Sequence, residues 1–194
     1  MKLIPKHTMV FGRKGTGKSN WVQWALDRDA YAAHLMYDVC AEHDALNTYL
    51  PEYRRGDRAM SELDEVVESM VLQVPTERRP SILGIEEVSR FCGPHSPPPE
   101  SVYELVDMNR HYGVGLLGVA RRPAQVHTDM VELADNVIIF RLTGAADKRR
   151  LRDIADGLDD AVASLDDYQY VQVKPDGEYA VRDPVPERDT TGSL

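Results

Sequence analysis

Short apolar runs alternate with amphipathic stretches along most of this chain, and that alternation predicts its elements. Runs rich in β-branched and aliphatic side chains predict strands at His7–Phe11, His34–Asp38, Met70–Val74, Ile82–Glu86, Gly115–Ala120 and Asn136–Leu142. Helical spacing predicts helices over Lys18–Arg28, Ala59–Ser69, Glu100–Tyr112, Thr128–Ala134 and Ala146–Ala155. In the first of these helices Trp21, Val22, Trp24, Ala25 and Leu26 share one apolar face, and in the third Val102, Leu105 and Val106 do the same. Strands alternating with helices imply an α/β fold with a mostly parallel sheet. The pattern then changes: Tyr168–Lys174 and Glu178–Arg182, joined by Pro175-Asp176-Gly177, predict a C-terminal β-hairpin. Residues 1–182 are expected to form a single domain, and the polar, Pro-bearing residues 183–194 a disordered tail. No internal repeat is visible.

Between the first strand and the first helix stands Gly12-Arg13-Lys14-Gly15-Thr16-Gly17-Lys18-Ser19, a full match to the phosphate-binding loop G-x-x-x-x-G-K-[ST]. Glycines let the backbone fold round phosphates with its N–H groups inward, and the following helix turns its positive end toward the anion. Gly12, Gly15, Thr16, Gly17, Lys18, Ser19 and Asn20 are therefore the expected contacts of ATP. Lys18 would reach the β- and γ-phosphates and the Ser19 hydroxyl would ligate Mg²⁺. A plain Gly-rich turn is the competing reading, but the flanking strand and helix favour the phosphate loop.

An apolar strand ending in Glu86-Glu87 supplies the second chemical motif. At the carboxyl end of a strand beside a phosphate loop both side chains can reach the crevice, with Glu86 as a metal ligand and Glu87 as the base that activates water. An aspartate is commoner in the metal position, and the extra methylene of Glu86 moves its carboxylate outward.

Asn109-Arg110-His111-Tyr112-Gly113 leads into the apolar run before Arg121-Arg122-Pro123, and Ala134-Asp135 introduces another strand. Here, and at Met36-Tyr37-Asp38-Val39-Cys40-Ala41-Glu42, the chain resembles the FtsK/HerA superfamily of DNA-pumping ATPases. The likeness runs from about Thr8 to Ile154 and depends on the order of the motifs. In its compact size it is most similar to the genome-packaging ATPases of membrane-containing icosahedral viruses. The resemblance implies a RecA-like P-loop NTPase fold and a homo-oligomeric ring, a hexamer, passing double-stranded DNA through its centre without reading sequence. ATP would then sit at subunit boundaries, and capsid vertex or membrane proteins are implied as further partners. A cellular or plasmid HerA-like translocase fits the same motifs.

Where the family usually has a glutamine before Arg-Pro, this chain has Arg121, which brings fixed charge and a planar donor fork. Arg121 is thus either a sensor of the γ-phosphate or one half of an ion pair. Ring ATPases commonly complete the site with an arginine in trans, for which Arg110 and Arg122 rank before Arg90 and Arg141. Tyr53-Arg54-Arg55-Gly56-Asp57-Arg58 and the proline-rich excursion from Arg90 to Glu100 are the candidate DNA-facing loops. Lys148, Arg149, Arg150 and Arg152 form a second basic cluster that equally fits an exposed helix.

Composition narrows the picture. The chain has 194 residues and a net charge of −9, which argues against a wholly nucleic-acid-binding surface but leaves room for a local basic strip. No run reaches membrane-spanning length, so a soluble intracellular protein is expected, and the resemblance implies the host cytoplasm or a virion vertex as its place. Cys40 and Cys92 lack metal-ligand spacing and read as ordinary thiols. Glu42-His43-Asp44 reads as a polar loop near the nucleotide, and Trp21, Trp24 and Tyr31 as core or interface aromatics. Two other classes stay open: a P-loop kinase, which would need an arginine-rich lid, and a nucleotide-binding assembly protein with little turnover.

Overall fold

Consecutive residues of a strand face opposite sides of its sheet, and in this chain both sides are apolar. The computed structural model, described over residues 1–28, 33–43 and 47–187, has strands β1 (His7–Phe11), β2 (His34–Tyr37), β3 (Thr48–Tyr49), β4 (Ile82–Ile85), β5 (Gly115–Ala120), β6 (Asn136–Phe140), β7 (Tyr170–Val173) and β8 (Tyr179–Arg182). They form one sheet in the order β3-β2-β4-β5-β1-β6-β7-β8. The six strands from β3 to β6 are parallel, while β7 and β8 are antiparallel additions that make the expected hairpin.

The helices are α1 (Lys18–Arg28), α2 (Gly56–Val67), α3 (Glu100–Tyr112), α4 (Thr128–Glu132), α5 (Ala145–Ile154) and α6 (Leu158–Ala163). Met9, Phe11, Leu83, Ile85, Leu116 and Ile139 pack on one face against α2 to α6, with Leu63, Leu105, Met130, Leu151 and Val162 in the same cluster. Val10, Ile82, Leu117, Val119 and Ile138 turn to the other face, where α1 covers them with Trp21, Val22 and Leu26. Burial on both faces explains why the central strands read as unbroken apolar runs.

The strand expected at Met70–Val74 is absent; the chain there prolongs α2 as one wide helical turn, Glu68–Leu72. Leu63, Val66, Val67 and Val71 keep helical spacing and are buried, whereas Met70 points outward, so the segment obeys the longer period. The expected helix at Ala59–Ser69 correspondingly starts earlier, at Gly56. Helix α6, not expected from the sequence, is a short turn entered through Gly157 in left-handed conformation. Residues 183–187 leave β8 and run beside α1, where the Asn20 side-chain amide donates to the Pro186 carbonyl at 3.2 Å. Trp21 is buried against Tyr170, and Tyr31 lies outside the described residues. No helix among the described residues is long and apolar enough to cross a membrane.

Candidate active site

The carboxyl ends of the parallel strands gather the chemistry. Residues 12–17 join β1 to α1, with Gly15 and Gly17 at φ values of 80° and 100°, which side-chain-bearing residues rarely adopt. The loop closes on itself: Thr16 Oγ1 and Lys18 Nζ donate to the Arg13 carbonyl at 2.8 and 3.1 Å. Burial lowers the pKa of Lys18, and the carboxylates of Glu86 and Glu87 oppose that shift. Both acids line the same cleft as the loop lysine.

Glu86 and Glu87 follow β4 and are only 4% and 8% exposed. Regular strand geometry would send them to opposite faces. Glu87 instead adopts left-handed angles, φ 49° and ψ 44°, which re-aims its carboxylate into the crevice at a backbone cost on the order of 1 kcal/mol. Its Oε1 accepts from Nε of Arg121 at 2.5 Å. Arg121 follows β5, and β5 lies between β1 and β4, so the arginine stands between the phosphate loop and the acids. Lys14, Gly15, Gly17, Lys18, Ser19 and Asn20 line one cleft of about 440 Å³ together with Glu42, Glu86, Glu87, Arg121 and Tyr168.

The loop after β2, read from sequence only as a polar loop near the nucleotide, joins the site by contacts that the sequence did not show. The Asp38 carboxylate accepts the backbone N–H groups of Cys40, Glu42 and His43 at 3.0, 2.8 and 3.0 Å, folding the loop after β2 back over the crevice. This buries His43, whose Nε2 lies 3.3 Å from Oε2 of Glu86. Burial works against a charge on His43, but its bond to Glu86 and the charges of Glu86, Asp38 and Glu42 hold its pKa above the ordinary range. Asp44, grouped with Glu42 and His43 on sequence grounds, lies outside the described residues. Ser19 Oγ is 3.5 Å from Oε2 of Glu42, so hydroxyl and carboxylate oxygens converge beside the loop. That oxygen-only set at the cleft, from Ser19 and Glu86 with Glu42 adjacent, suits a hard cation such as Mg²⁺.

The other arginines are placed apart from this cleft. Arg110 lies near the opposite end of the sheet, 3.4 Å from Asp135, which also accepts from Lys6 and from the backbone of His7. It does not reach the phosphate loop of its own subunit. Arg122 donates to buried Asp147 in the first turn of α5 at 2.9 Å, and Arg141 to Asp167 at 2.7 Å. Arg13 links the clefts around these two arginines, since it lines both. Arg90 touches the carbonyl of Arg54 at 3.5 Å, so the two candidate DNA loops meet. In the second basic cluster Arg150 pairs with Glu132 and Arg152 with Asp159. Cys92 is buried, and burial pushes its thiol up to about 12.

No family model matches the sequence, and no curated protein matches it by sequence. Solved structures do match. The genome-packaging NTPase B204 of Sulfolobus turreted icosahedral virus 2, in complex with ATP-γS, superposes with a TM-score of 0.79 at 15% identity over 94% of this chain and 98% of that one. The N-terminal domain of zonular occludens toxin from Neisseria meningitidis gives a TM-score of 0.57 at 12% identity, covering 92% and 93% of the two chains. The pCW3 conjugation coupling protein TcpA gives 0.58 at 16% identity, over 91% of this chain and 60% of that one. These likenesses are likenesses of fold: the chain has the P-loop NTPase fold of these structures, in keeping with its mostly parallel sheet and the loop between β1 and α1.

Proposed function

We propose that this chain is an ATPase that drives double-stranded DNA into a preformed viral capsid, working as a homo-oligomeric ring, a hexamer, with ATP at the subunit boundaries. The observation that carries the reading is the convergence of Lys18, Glu87 and Arg121 on one cleft, a hydrolytic constellation rather than a transfer site with an acceptor pocket. The fold likeness to a viral genome-packaging NTPase bound to an ATP analogue supports the packaging role over a generic nucleotide switch.

In this mechanism the loop's N–H groups hold the phosphate oxygens and Lys18 offsets their charge. Ser19 and Glu86 would hold Mg²⁺, which would supply further neutralisation of phosphate charge when bound. Glu87 takes a proton from a water whose oxygen attacks the γ-phosphorus, and the bond to the β–γ bridging oxygen breaks to leave ADP and phosphate. Arg121, bonded to Glu87 in the structure, gains a competing partner when a γ-phosphate arrives; shared between the two, it stabilises the charge that develops in transfer. His43 keeps the carboxylate of Glu86 turned toward the cleft. An arginine from a neighbouring subunit, with Arg122 and Arg110 as the candidates, completes the site.

The joined loops of Arg54, Arg55, Arg58 and Arg90 supply a local basic surface for phosphate contact on an otherwise acidic protein. Such a protein would work in the host cytoplasm or at the virion vertex. The test is phosphate release from ATP across protein concentration, with and without linear double-stranded DNA. A ring motor shows specific activity that rises with concentration and with DNA. Concentration-independent turnover that ignores DNA would remove the translocase reading.

A further inference from the structure

A second cleft, of about 560 Å³, continues from the first. It shares Gly17, Ser19, Asn20 and Tyr168 with the catalytic cleft but none of its acids, and its remaining walls include Phe140, Pro184 and Val185. Three independent features make this a built surface. Tyr168 holds a left-handed backbone, φ 64°, unusual for an aromatic residue, and its ring lies against Gly17 of the phosphate loop while remaining about half exposed. The chain beyond β8 folds back as a strap tied by the Asn20–Pro186 hydrogen bond, with Val185 packed on the cluster that contains Trp21 and Phe140. Gln23, one turn along α1, has a buried side-chain nitrogen with no hydrogen-bond partner among the described residues.

A nucleotide anchored by its phosphates at Lys18 must send its ribose and base into neighbouring space. The catalytic cleft is walled by carboxylates and suits the phosphate end and its cation. The adjoining cleft offers an aromatic face, two apolar strap residues, one idle amide donor and the Glu187 carboxylate at its edge, the complement of a flat heteroaromatic ring with acceptor nitrogens and an amino group.

We propose that this second cleft seats the purine base of the bound nucleoside triphosphate, with Tyr168 and residues 184–187 as its walls and Gln23 donating to a ring nitrogen. The proposal rests on the nucleotide-binding reading of the phosphate loop. It gives the segment after β8 a role in the site and makes Tyr168 a determinant of affinity that no phosphate-loop pattern contains.

The experiment is calorimetric titration of the full chain with ATP and, separately, with inorganic tripolyphosphate, both with Mg²⁺, for wild type, Tyr168→Gly, Tyr168→Phe and Gln23→Ala. Glycine at position 168 removes the ring while accepting the left-handed backbone, so thermal unfolding should not move downward. The expected result is a loss of about tenfold in ATP affinity for Tyr168→Gly, within the usual range for one aromatic–base stack, and a smaller loss for Gln23→Ala. Tyr168→Phe should bind ATP like wild type, and all four proteins should bind tripolyphosphate equally. Unchanged ATP affinity in Tyr168→Gly, or wild-type affinities for ATP and tripolyphosphate that coincide, would overturn the base seat alone. Equal losses for both ligands would do so too, by showing that the ring supports the loop through Gly17. Failure of wild type to bind either ligand would overturn the nucleotide reading and the base seat together.

Discussion

Replacing Glu87 by glutamine removes one function and leaves nearly everything else in place. The amide has the same shape and keeps the same left-handed backbone, so the conformational strain at position 87 is unchanged. What is lost in the fold is the charge in the 2.5 Å bond from Arg121. Because the Arg121 side chain is 53% exposed, that bond is screened, and its loss is worth at most about 1 kcal/mol of stability. ATP affinity should change by less than about fivefold, since Lys18 and the loop amides are untouched. Hydrolysis should fall by about 10²- to 10⁴-fold, the usual worth of a positioned general base, equivalent to about 3–5 kcal/mol on the barrier. Glu87→Gly separates the two roles of the position: glycine accepts the left-handed angles, and that relief offsets the lost Arg121 pair, so stability should move by less than about 1 kcal/mol while turnover is abolished. The assay is single-turnover phosphate release with saturating ATP, alongside calorimetric binding and urea unfolding. Turnover of Glu87→Gln within tenfold of wild type would refute Glu87 as the base.

Three further outcomes are expected. Arg121→Gln, which installs the residue usual in the resembling family, should lower kcat by about tenfold or more with little change in ATP affinity, and an unchanged kcat would leave Arg121 as a purely structural partner of Glu87. Arg122→Ala should cost about 1–2 kcal/mol in urea unfolding, because it leaves the buried Asp147 carboxylate without its partner while the arginine itself is partly exposed; equal stability would remove that assignment. Burial lowers the pKa of His7 from 6.5 to about 4, against the opposing charge of Asp135. Between those values the unfolded chain binds a proton that the native state refuses, so stability should fall by up to about 3 kcal/mol as pH drops through that window. Neither ring nitrogen of His7 has a hydrogen-bond partner among the described residues, so His7→Leu should match wild type at pH 7 and decline less steeply in acid. Equal slopes in urea unfolding would sink that account.

The parts of the site that sequence made legible are those carried by contiguous residues. Gly12 to Ser19 fold as one loop, and their spacing alone predicts a tight turn and the start of α1; the closure on Arg13 appears only in the structure. The acids after β4 were equally visible as a pair, but not the left-handed turn that lets both face the crevice, because many residue types can be forced into it by their surroundings. His43 and Glu86 are 43 positions apart, and they meet only because β2 and β4 are neighbours in the sheet. Asn20 was expected among the nucleotide contacts; in the structure its amide is engaged with Pro186, a partner 166 residues away. Arg110 matched a family position, yet the sheet carries it toward the end away from its own phosphate loop. The strand expected at Met70–Val74 failed because β-branched content outweighed spacing in the reading, while burial of Val67 and Val71 shows that spacing governed the fold.

The position of β5 has a mechanical consequence. Neighbouring strands are spaced about 4.8 Å apart, so one strand inserted between β1 and β4 sets the loop and the acids about 10 Å apart, room for a terminal phosphate and one water. The ladders that pair Phe11 with Ala120 and Ile85 with Gly118 hold that gauge from both sides. The jaw cannot widen or narrow without breaking backbone hydrogen bonds, so a turnover cannot be expressed as opening of the sheet. On the proposed function, movement coupled to loss of the γ-phosphate has to leave through the parts mounted on the rim: the Arg121 side chain, the Asp38–His43 loop and the strap beyond β8.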